Sequence, residues 1–353
     1  MAVPLSMLGL LAEIGTFNEL SVWCFVWADA CVELGVWLLE PCALDPFVVA
    51  FDTLDIFISM VLILTIARWK SPVPTVFMLV CLVGMMFGNS PLFKKYEGLL
   101  NKREDLRITF LPVGQGDATL LEWADGEVWL IDGGPFTFEM VPYLRRRGIW
   151  EVDKVWLSHP HADHMDGIFP VLEHLQVGQL IVGRSLEESD RDGRYSALWK
   201  LASEKQIPIH IAESIKEDRS IVNRGARILH PHDWRVNTSD RCNEESIVLE
   251  ITHQHHRILF MGDVEEDAEK ELLKSVRTVD LLKVAHHGSR SSSSPTLMEA
   301  LKPTVSVITA GEGNRFGHPH TETLWTLRDS RVLRTDWHGT IEVVFTDGKM
   351  LVQ

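Results

Sequence analysis

The pattern of hydrophobic and polar positions changes near residue 105. Residues 71–93 contain no charged side chain, and residues 53–69 are nearly as apolar. Beyond residue 105, apolar residues instead come in runs of four to six. A long apolar run predicts a helix that crosses the bilayer core of about 30 Å, whereas short runs bounded by turn residues predict strands. We therefore expect a helical membrane segment over residues 1–104, with candidate spans at 53–69 and 71–93, and a separate domain over residues 105–353.

The second part of the chain alternates short apolar strands with stretches of helical spacing. The helical stretches are Phe138–Arg147, Phe169–Leu175, Ser196–Lys205 and Thr321–Leu327. Strands and helices interleaved over about 250 residues predict a layered α/β domain.

Four potential metal ligands fall within six positions directly after the apolar run 155–157. They are His159, His161, Asp163 and His164. Imidazole nitrogen and carboxylate oxygen are ligands for zinc, iron and manganese. Alternate residues of an extended segment point the same way, so His159 and His161 can hold one ion. The following turn can serve a second ion; the alternative is a histidine-rich surface loop.

Further candidate ligands stand at the ends of later apolar runs. His230 ends one run, Asp263 follows residues 258–262, and His286 and His287 follow residues 281–285. A sheet holds residues at its strand ends rigidly, as a site for two metals requires. Taken singly, His230 is also explained as a loop histidine, and Asp263 as a turn or helix-capping residue.

Several motifs together resemble a known family. They are Phe110–Asp117 (FLPVGQGD), Leu130–Gly134 (LIDGG), His159–His164 (HPHADH), Asn243 with Ser246–Leu249, Gly262-Asp263, Lys283–Arg290 (KVAHHGSR) and Asn314–His320 (NRFGHPH). This set resembles the metallo-β-lactamase superfamily and, more narrowly, the extracytoplasmic hydrolase domain of ComEC-type DNA-internalisation (competence) proteins. The likeness spans roughly residues 105–345.

The resemblance implies an αββα sandwich with a cleft for two metal ions at one edge of its sheets. We expect one ion on His159, His161 and His230, and the other on Asp163, His164 and either His286 or His287. Asp263 is expected to bridge the two ions. Zinc is the default metal, and manganese is compatible with the same ligands.

The remaining motif residues are candidates for catalysis and substrate binding. We expect Asp163 to orient the attacking hydroxide, and His318 and His320 to protonate the leaving oxygen or bind phosphate. A turn pinned by Pro319 explains the two histidines equally well. Candidate substrate-binding residues are Ser289, Arg290, Asn314 and Arg315, and Lys283 is a further candidate for meeting phosphate. A flexible loop is the alternative explanation for the serines at positions 289–294.

Net charge limits the mode of substrate binding. The chain carries −15, of which the first hundred residues, with nine acidic and four basic side chains, contribute −5. The hydrolase region therefore carries −10, whereas proteins that hold DNA tightly usually have a basic face. The charge favours a phosphodiesterase that handles a delivered strand briefly.

Three functions remain open on the sequence. The first is a nuclease that acts on single-stranded DNA during DNA uptake. The second is a hydrolase of a nucleotide, phospholipid or thioester, since a fold does not fix a substrate. The third is a non-catalytic component of a transport complex.

The resemblance also bears on localisation and partners. It implies a bacterial inner-membrane protein whose hydrolase domain lies outside the cytoplasm. Residues 1–93 resemble only the tail of a channel domain, and two spans cannot enclose a pore. We therefore expect a fragment, one half of a split protein with a separate channel-forming subunit, or a tethered hydrolase.

Overall fold

The structure, a computed structural model, describes residues 105–183, 193–231 and 242–353. Across these ranges, no helix combines the length and hydropathy that crossing a membrane requires. The predicted membrane segment over residues 1–104, with its candidate spans at 53–69 and 71–93, lies outside the described residues.

Fourteen strands are found in the described ranges. They are β1 (Leu106–Phe110), β2 (Thr119–Trp123), β3 (Val128–Ile131), β4 (Glu151–Leu157), β5 (Gln176–Val182), β6 (Ile209–Ile211), β7 (Ala226–His230), β8 (Val248–His253), β9 (His256–Phe260), β10 (Leu281–Lys283), β11 (Val305–Ile308), β12 (Arg331–Arg334), β13 (Ile341–Thr346) and β14 (Lys349–Val352). They form an eight-stranded sheet in the order β14-β13-β1-β2-β3-β4-β5-β6 and a six-stranded sheet in the order β12-β11-β10-β9-β8-β7.

The helices of the described ranges are short. They are α1 (Met140–Arg146), α2 (Ala162–Met165), α3 (Ile168–His174), α4 (Arg194–Glu204), α5 (Arg219–Val222), α6 (Glu266–Leu272), α7 (Pro295–Leu301), α8 (Thr321–Thr326) and α9 (Thr335–His338). Each of the four stretches with helical spacing in the sequence contains most of one of these helices, namely α1, α3, α4 and α8.

Both sheets are buried on two faces, which explains their continuous apolar strands. In β3, Trp129 and Ile131 pack into the core between the sheets, whereas Leu130 packs outward in a cluster with Leu144 of α1 and Val171 of α3. A strand covered on both faces needs apolar residues at every position, not at alternate ones. On the outer face of the six-stranded sheet, α6 and α7 contribute to a third apolar cluster. The expected αββα sandwich is confirmed.

Strand direction determines where the motif residues collect. β3 is parallel to β4, and β9 is parallel to β10. Parallel neighbours end at the same edge of a sheet, so the segments after Ile131 and Leu157 lie side by side. The segments after Phe260 and Lys283 do the same in the second sheet. The predicted ligands follow three of these four strands.

Candidate metal centre

One carboxylate oxygen lies among four imidazole nitrogens. The Oδ2 atom of Asp263 is 3.3 Å from Nε2 of His164, 3.6 Å from Nε2 of His287, 3.8 Å from Nε2 of His159 and 3.9 Å from Nε2 of His286. Asp263 follows β9, and the histidines follow β4 and β10. The structure therefore brings together residues that the sequence places more than 120 positions apart.

Several nitrogen and oxygen atoms of this cluster have no hydrogen-bond partner and are therefore available to bind a metal ion. Nε2 of His164, Nε2 of His287 and Oδ1 of Asp263 are buried without a hydrogen-bond partner. Leaving buried polar atoms unpaired is costly. Two ligands that each lie about 2.0–2.1 Å from one tetrahedral ion are separated by about 3.4 Å, which is close to the distances from Oδ2 of Asp263 to His164 and His287.

Donor atoms form overlapping sets that are compact enough for an ion. Within the described residues, four sets of three have ligand atoms within 4.8 Å of one another: His159, His164 and Asp263; Asp163, His164 and His287; Asp117, Asp132 and His164; and Asp117, Asp263 and His287. Asp263 and His164 recur among them. His161 adjoins the cluster, with Nδ1 at 2.9 Å from Nε2 of His159.

Carboxylates behind the cluster orient its two most buried histidines. Asp132 Oδ2 is 2.9 Å from Nδ1 of His164, and Asp117 Oδ1 is 3.3 Å from Nδ1 of His287. Nδ1 of His287 also lies 3.1 Å from the carbonyl oxygen of Thr309. A partner that accepts the proton on Nδ1 leaves the Nε2 lone pair available to a metal. Both rings therefore present Nε2 to Asp263.

Asp117 is itself held by two buried groups. The ammonium of Lys283 and the hydroxyl of Thr309 both donate to its carboxylate. Lys283 and Asp117 are each 3% exposed. The expectation that Lys283 meets a substrate phosphate is therefore corrected, because this side chain compensates a carboxylate inside the fold.

Buried charge shifts the titration of the cluster. Burial alone would raise the pKa of Asp263, but the neighbouring His164 and His287 hold it well below its usual range. Burial alone would lower the pKa of His287, but Asp263 and Asp117 raise it to about 9. Burial and the charge on His164 lower the pKa of His159 well below its usual value. The buried carboxylates thus give the cluster a strong preference for positive charge, whether protons or metal ions.

Two glycine-rich motifs make close backbone contacts with the HPHADH turn and the residues that follow it. A Cβ atom on Gly116 would lie 2.2 Å from the carbonyl oxygen of Asp163, and one on Gly167 would lie 1.9 Å from that of Gly133. The Gly133 amide donates to the carbonyl oxygen of His164 at 2.7 Å. Only glycine permits such approaches. The motifs FLPVGQGD and LIDGG therefore position Asp163 and His164.

The His286-His287 pair adopts an unusual backbone conformation. Both residues lie in the left-handed region, with φ of 49° and 53°. Non-glycine residues in this region cost about 1–3 kcal/mol each and collect at functional sites. The turn aims both rings at Asp263, while Nδ1 of His286 lies 3.0 Å from Oε1 of Glu265. Both histidines, and not only one of them, therefore face the carboxylate of Asp263.

The structure does not bring His230 into the cluster. Its Nε2 donates to the carbonyl oxygen of Glu244 at 2.7 Å, and its Nδ1 faces Glu271 at 3.9 Å. β7 is separated from β9 by β8, so the strand that ends at His230 and the strand that precedes Asp263 are not adjacent but lie about 9–10 Å apart. Among the described residues, His230 belongs to none of the sets of donor atoms that are compact enough for an ion.

The serine run after His287 is structured, so the flexible-loop alternative is corrected. Ser292 Oγ donates to the carbonyl oxygen of Val264, and the amides of Ser293 and Ser294 donate to Glu269. Ser289 is 7% exposed. These residues hold the turn that carries His286 and His287, and a substrate contact of Ser289 stays a prediction.

His318 and His320 lie beside the cluster, on the loop Gly311–His320. The ring of His318 is centred 5.6 Å from that of His286 and 4.9 Å from that of His320. Burial and the nearby His287 and His286 lower the pKa of His318 to about 4, so its ring is neutral at pH 7.

The other candidate substrate-binding residues differ in exposure and partners. Asn314 stabilises this loop, because its side-chain amide donates hydrogen bonds to the carbonyl oxygens of Gly311 and His318. The backbone amide of Arg290 donates to Nδ1 of His320. The guanidinium of Arg290 lies 3.9 Å from Glu322, and Arg315 is exposed.

Asp117 and Asp132 are the functional residues that the sequence left unassigned. Each was visible as the acidic residue inside a glycine-rich motif, but neither belongs to a run of potential ligands. Their role depends on contacts with His287 and His164, which no local pattern shows.

Comparisons with known proteins identify the family of this chain. The profile of the metallo-beta-lactamase superfamily matches residues 111–311. ComE operon protein 3 of Bacillus subtilis is 26% identical over 258 residues, which cover 67% of this chain and 32% of that protein. Recombination protein 2 of Haemophilus influenzae is 27% identical over 265 residues, which cover 70% and 30%. The match thus spans about a third of the length of these relatives.

A solved structure, that of a diphosphatase from the PhnP family, covers 70% of this chain and all of its own, with a TM-score of 0.43 and 16% identity. The resemblance to ComEC-type competence proteins is confirmed by the curated relatives. The profile matches more than half of the chain, and the chain belongs to the metallo-beta-lactamase superfamily.

Proposed function

We propose that this chain is a metal-dependent phosphodiesterase that cleaves single-stranded DNA during DNA uptake. The observation that carries the proposal is the convergence of four imidazole nitrogens on Oδ2 of Asp263. The competence relatives support DNA as the substrate. Membrane attachment, an extracytoplasmic hydrolase domain and a separate channel-forming subunit belong to the same proposal.

The cluster provides ligands for two divalent ions, zinc or manganese. His159 and His161 form one side, with His286 as a further donor, and Asp163, His164 and His287 form the other. Asp263 lies between the two sides. Two such ions supply an activated water and stabilise charge on the phosphoryl oxygens.

The residues at the solvent-facing side position the substrate. The Asp163 side chain is 35% exposed, whereas that of His164 is fully buried, so phosphate approaches from the side of Asp163. Asp163 accepts a hydrogen bond from the attacking water and so orients it. Neutral His318 donates a hydrogen bond through its ring N–H, and His320 lies next to it to bind the leaving oxygen.

The test uses the full chain, purified, stripped with a chelator and reloaded with Zn²⁺ or Mn²⁺. We expect cleavage of single-stranded DNA only after reloading, and loss of cleavage in Asp163→Ala. Asp329→Ala is the matched control, because this carboxylate is 90% exposed and far from any metal ligand in sequence.

Two results would overturn the proposal. One is the absence of DNA cleavage with either metal, together with turnover of methyl p-nitrophenyl phosphate, which indicates a different phosphodiester substrate. The other is unchanged cleavage by Asp163→Ala, which removes the cluster from the reaction.

A further inference from the structure

The loop Gly311–His320 holds an aromatic ring in solvent beside the metal centre. Phe316 is 48% exposed. Its ring stacks on that of His318, with centroids 5.6 Å apart and an angle of 22° between the planes. The guanidinium carbon of Arg315 lies 4.8 Å from the Phe316 centroid. Single exposed apolar rings are common on protein surfaces, and Phe316 is distinguished by its stacking on a histidine next to the cluster.

The loop is braced, which keeps the ring in place. The side chain of Asn314 accepts from the His318 amide at 3.0 Å and donates to two backbone carbonyls. Gln115, from the motif FLPVGQGD, lies 3.4 Å from Nδ1 of His318 and accepts from the Gly311 amide. A ring fixed in this way loses little entropy when a ligand stacks on it.

The ring is close enough to serve the reaction. His318, which stacks on Phe316, is centred 6.2 Å from His287 and 5.6 Å from His286. Phe316 therefore contacts a ring, that of His318, which itself contacts His286 and His287 of the cluster. A nucleotide next to the cleaved phosphate can reach this ring with its base.

We propose that Phe316 is a base-stacking platform that makes the enzyme specific for single-stranded nucleic acid, with Arg315 binding the adjacent phosphate. The inference rests on the proposed phosphodiesterase function and names its substrate-binding surface. A base in a duplex is stacked and paired, so it cannot lie on the ring, whereas an unpaired base can. When a base covers Phe316, the exposed Arg315 side chain is released towards the phosphate.

The test compares oligothymidylate of about 12 nucleotides with a strand of equal length made of abasic spacers, using the full metal-loaded chain. The two strands share their phosphates and differ only in bases. We expect Phe316→Ala to lower kcat/KM for oligothymidylate about 5- to 150-fold, the usual effect of losing one base–aromatic contact. Cleavage of the abasic strand is expected to be unchanged, and Phe316→Trp restores cleavage of oligothymidylate.

A binding measurement gives an independent readout. Fluorescence anisotropy of labelled oligothymidylate on chelator-treated protein is expected to show weaker binding for Phe316→Ala than for the wild type. Leu351→Ala is the matched control, because it removes a side chain of similar exposure, 44%, from the edge strand β14.

The outcomes separate the two proposals. Wild-type protein that cleaves neither strand contradicts the phosphodiesterase function itself. Wild-type protein that cleaves both strands, with Phe316→Ala indistinguishable from wild type in cleavage and binding, overturns the platform alone. Equal loss on both strands also overturns it, because a base-specific contact cannot act on a strand without bases.

Discussion

Asp132 Oδ2 lies 2.9 Å from Nδ1 of His164, although 32 positions separate the two residues. The carboxylate also accepts from the amide and hydroxyl of Ser158, so its orientation is fixed. It fixes in turn the tautomer of His164 that offers Nε2 to a metal. We expect Asp132→Asn to lower metal affinity about 10- to 100-fold, measured by calorimetric titration of the chelator-treated protein.

Asp153→Asn provides the control for that substitution. The Asp153 carboxylate also accepts a backbone hydrogen bond, from the Val128 amide at 2.7 Å, but it does not contact a histidine of the cluster. Equal affinities in Asp132→Asn and Asp153→Asn would contradict the orienting role.

Metal removal is expected to destabilise the folded chain. Asp117, Asp132 and Asp263 are all buried around the same histidines. Ions that bind only the native state stabilise it by about 2.7 kcal/mol at a hundredfold excess over Kd. A thermal-shift titration of the chelator-treated protein with Zn²⁺ and Mn²⁺ measures the effect, and Asp163→Ala should show a smaller rise in Tm. Identical rises in both proteins would exclude Asp163 as a ligand.

Gly167→Ala is expected to unfold or severely destabilise the domain. The added methyl would lie 1.9 Å from the carbonyl oxygen of Gly133 and force α3 away from the LIDGG loop. Gly183→Ala is the control, because its methyl has no neighbour closer than 3.5 Å and its φ is not left-handed. Urea unfolding should show a large loss for the first variant and a change within about 0.5 kcal/mol for the second.

Glu127 and Lys154 form a partly buried ion pair whose loss should be measurable. Lys154 is 4% exposed, the Glu127 side chain is 18% exposed, and the ammonium lies 2.5 Å from Oε1 of Glu127. Removing one partner of a fully buried pair costs about 3–5 kcal/mol, and replacing the other partner as well recovers much of that loss. We expect Glu127→Gln to destabilise the domain by less than this amount, because solvent reaches the carboxylate, and Glu127→Gln with Lys154→Met to be less destabilising still, in urea unfolding.

The same pair gives a pH dependence. Burial alone would raise the pKa of Glu127, but hydrogen bonds from Lys154, Trp129 and Arg224 lower it from 4.5. A group whose pKa falls on folding stabilises the native state above its unfolded pKa. The stability difference between wild type and Glu127→Gln should therefore be full at neutral pH and shrink as the pH falls below 4.5. A difference that stays constant down to pH 3 would contradict the shift.

Strand-end patterns were sufficient to predict most of the cluster. His159, Asp263 and His287 each follow a buried apolar run, and all three face the same centre. A run of apolar residues shows where a strand ends but not its place across the sheet. His230 ends β7 at the same edge as Asp263, yet β8 separates the two strands. Strand order depends on distant pairing, which one segment of sequence does not reveal.

The contacts that support the metal ligands could not be predicted from the sequence either, because they also depend on distant pairing. Lys283 sits in the same motif as His286 and His287, and its charge suggested phosphate. In the fold it reaches Asp117, 166 positions away. Whether a charged residue faces solvent or an opposite charge is decided by packing between sheets, and the burial of Lys283 overrides the usual preference of lysine for water.

The side chains around Asp263 come from separate stretches between Asp117 and Thr309, so neither sheet contains the complete set. His159 and His164 follow a strand of one sheet, whereas Asp263 and His287 follow strands of the other. Separation of the two sheets therefore disperses all of these donor atoms at once, and we expect metal-binding capacity and the packing of the sheets to be lost together.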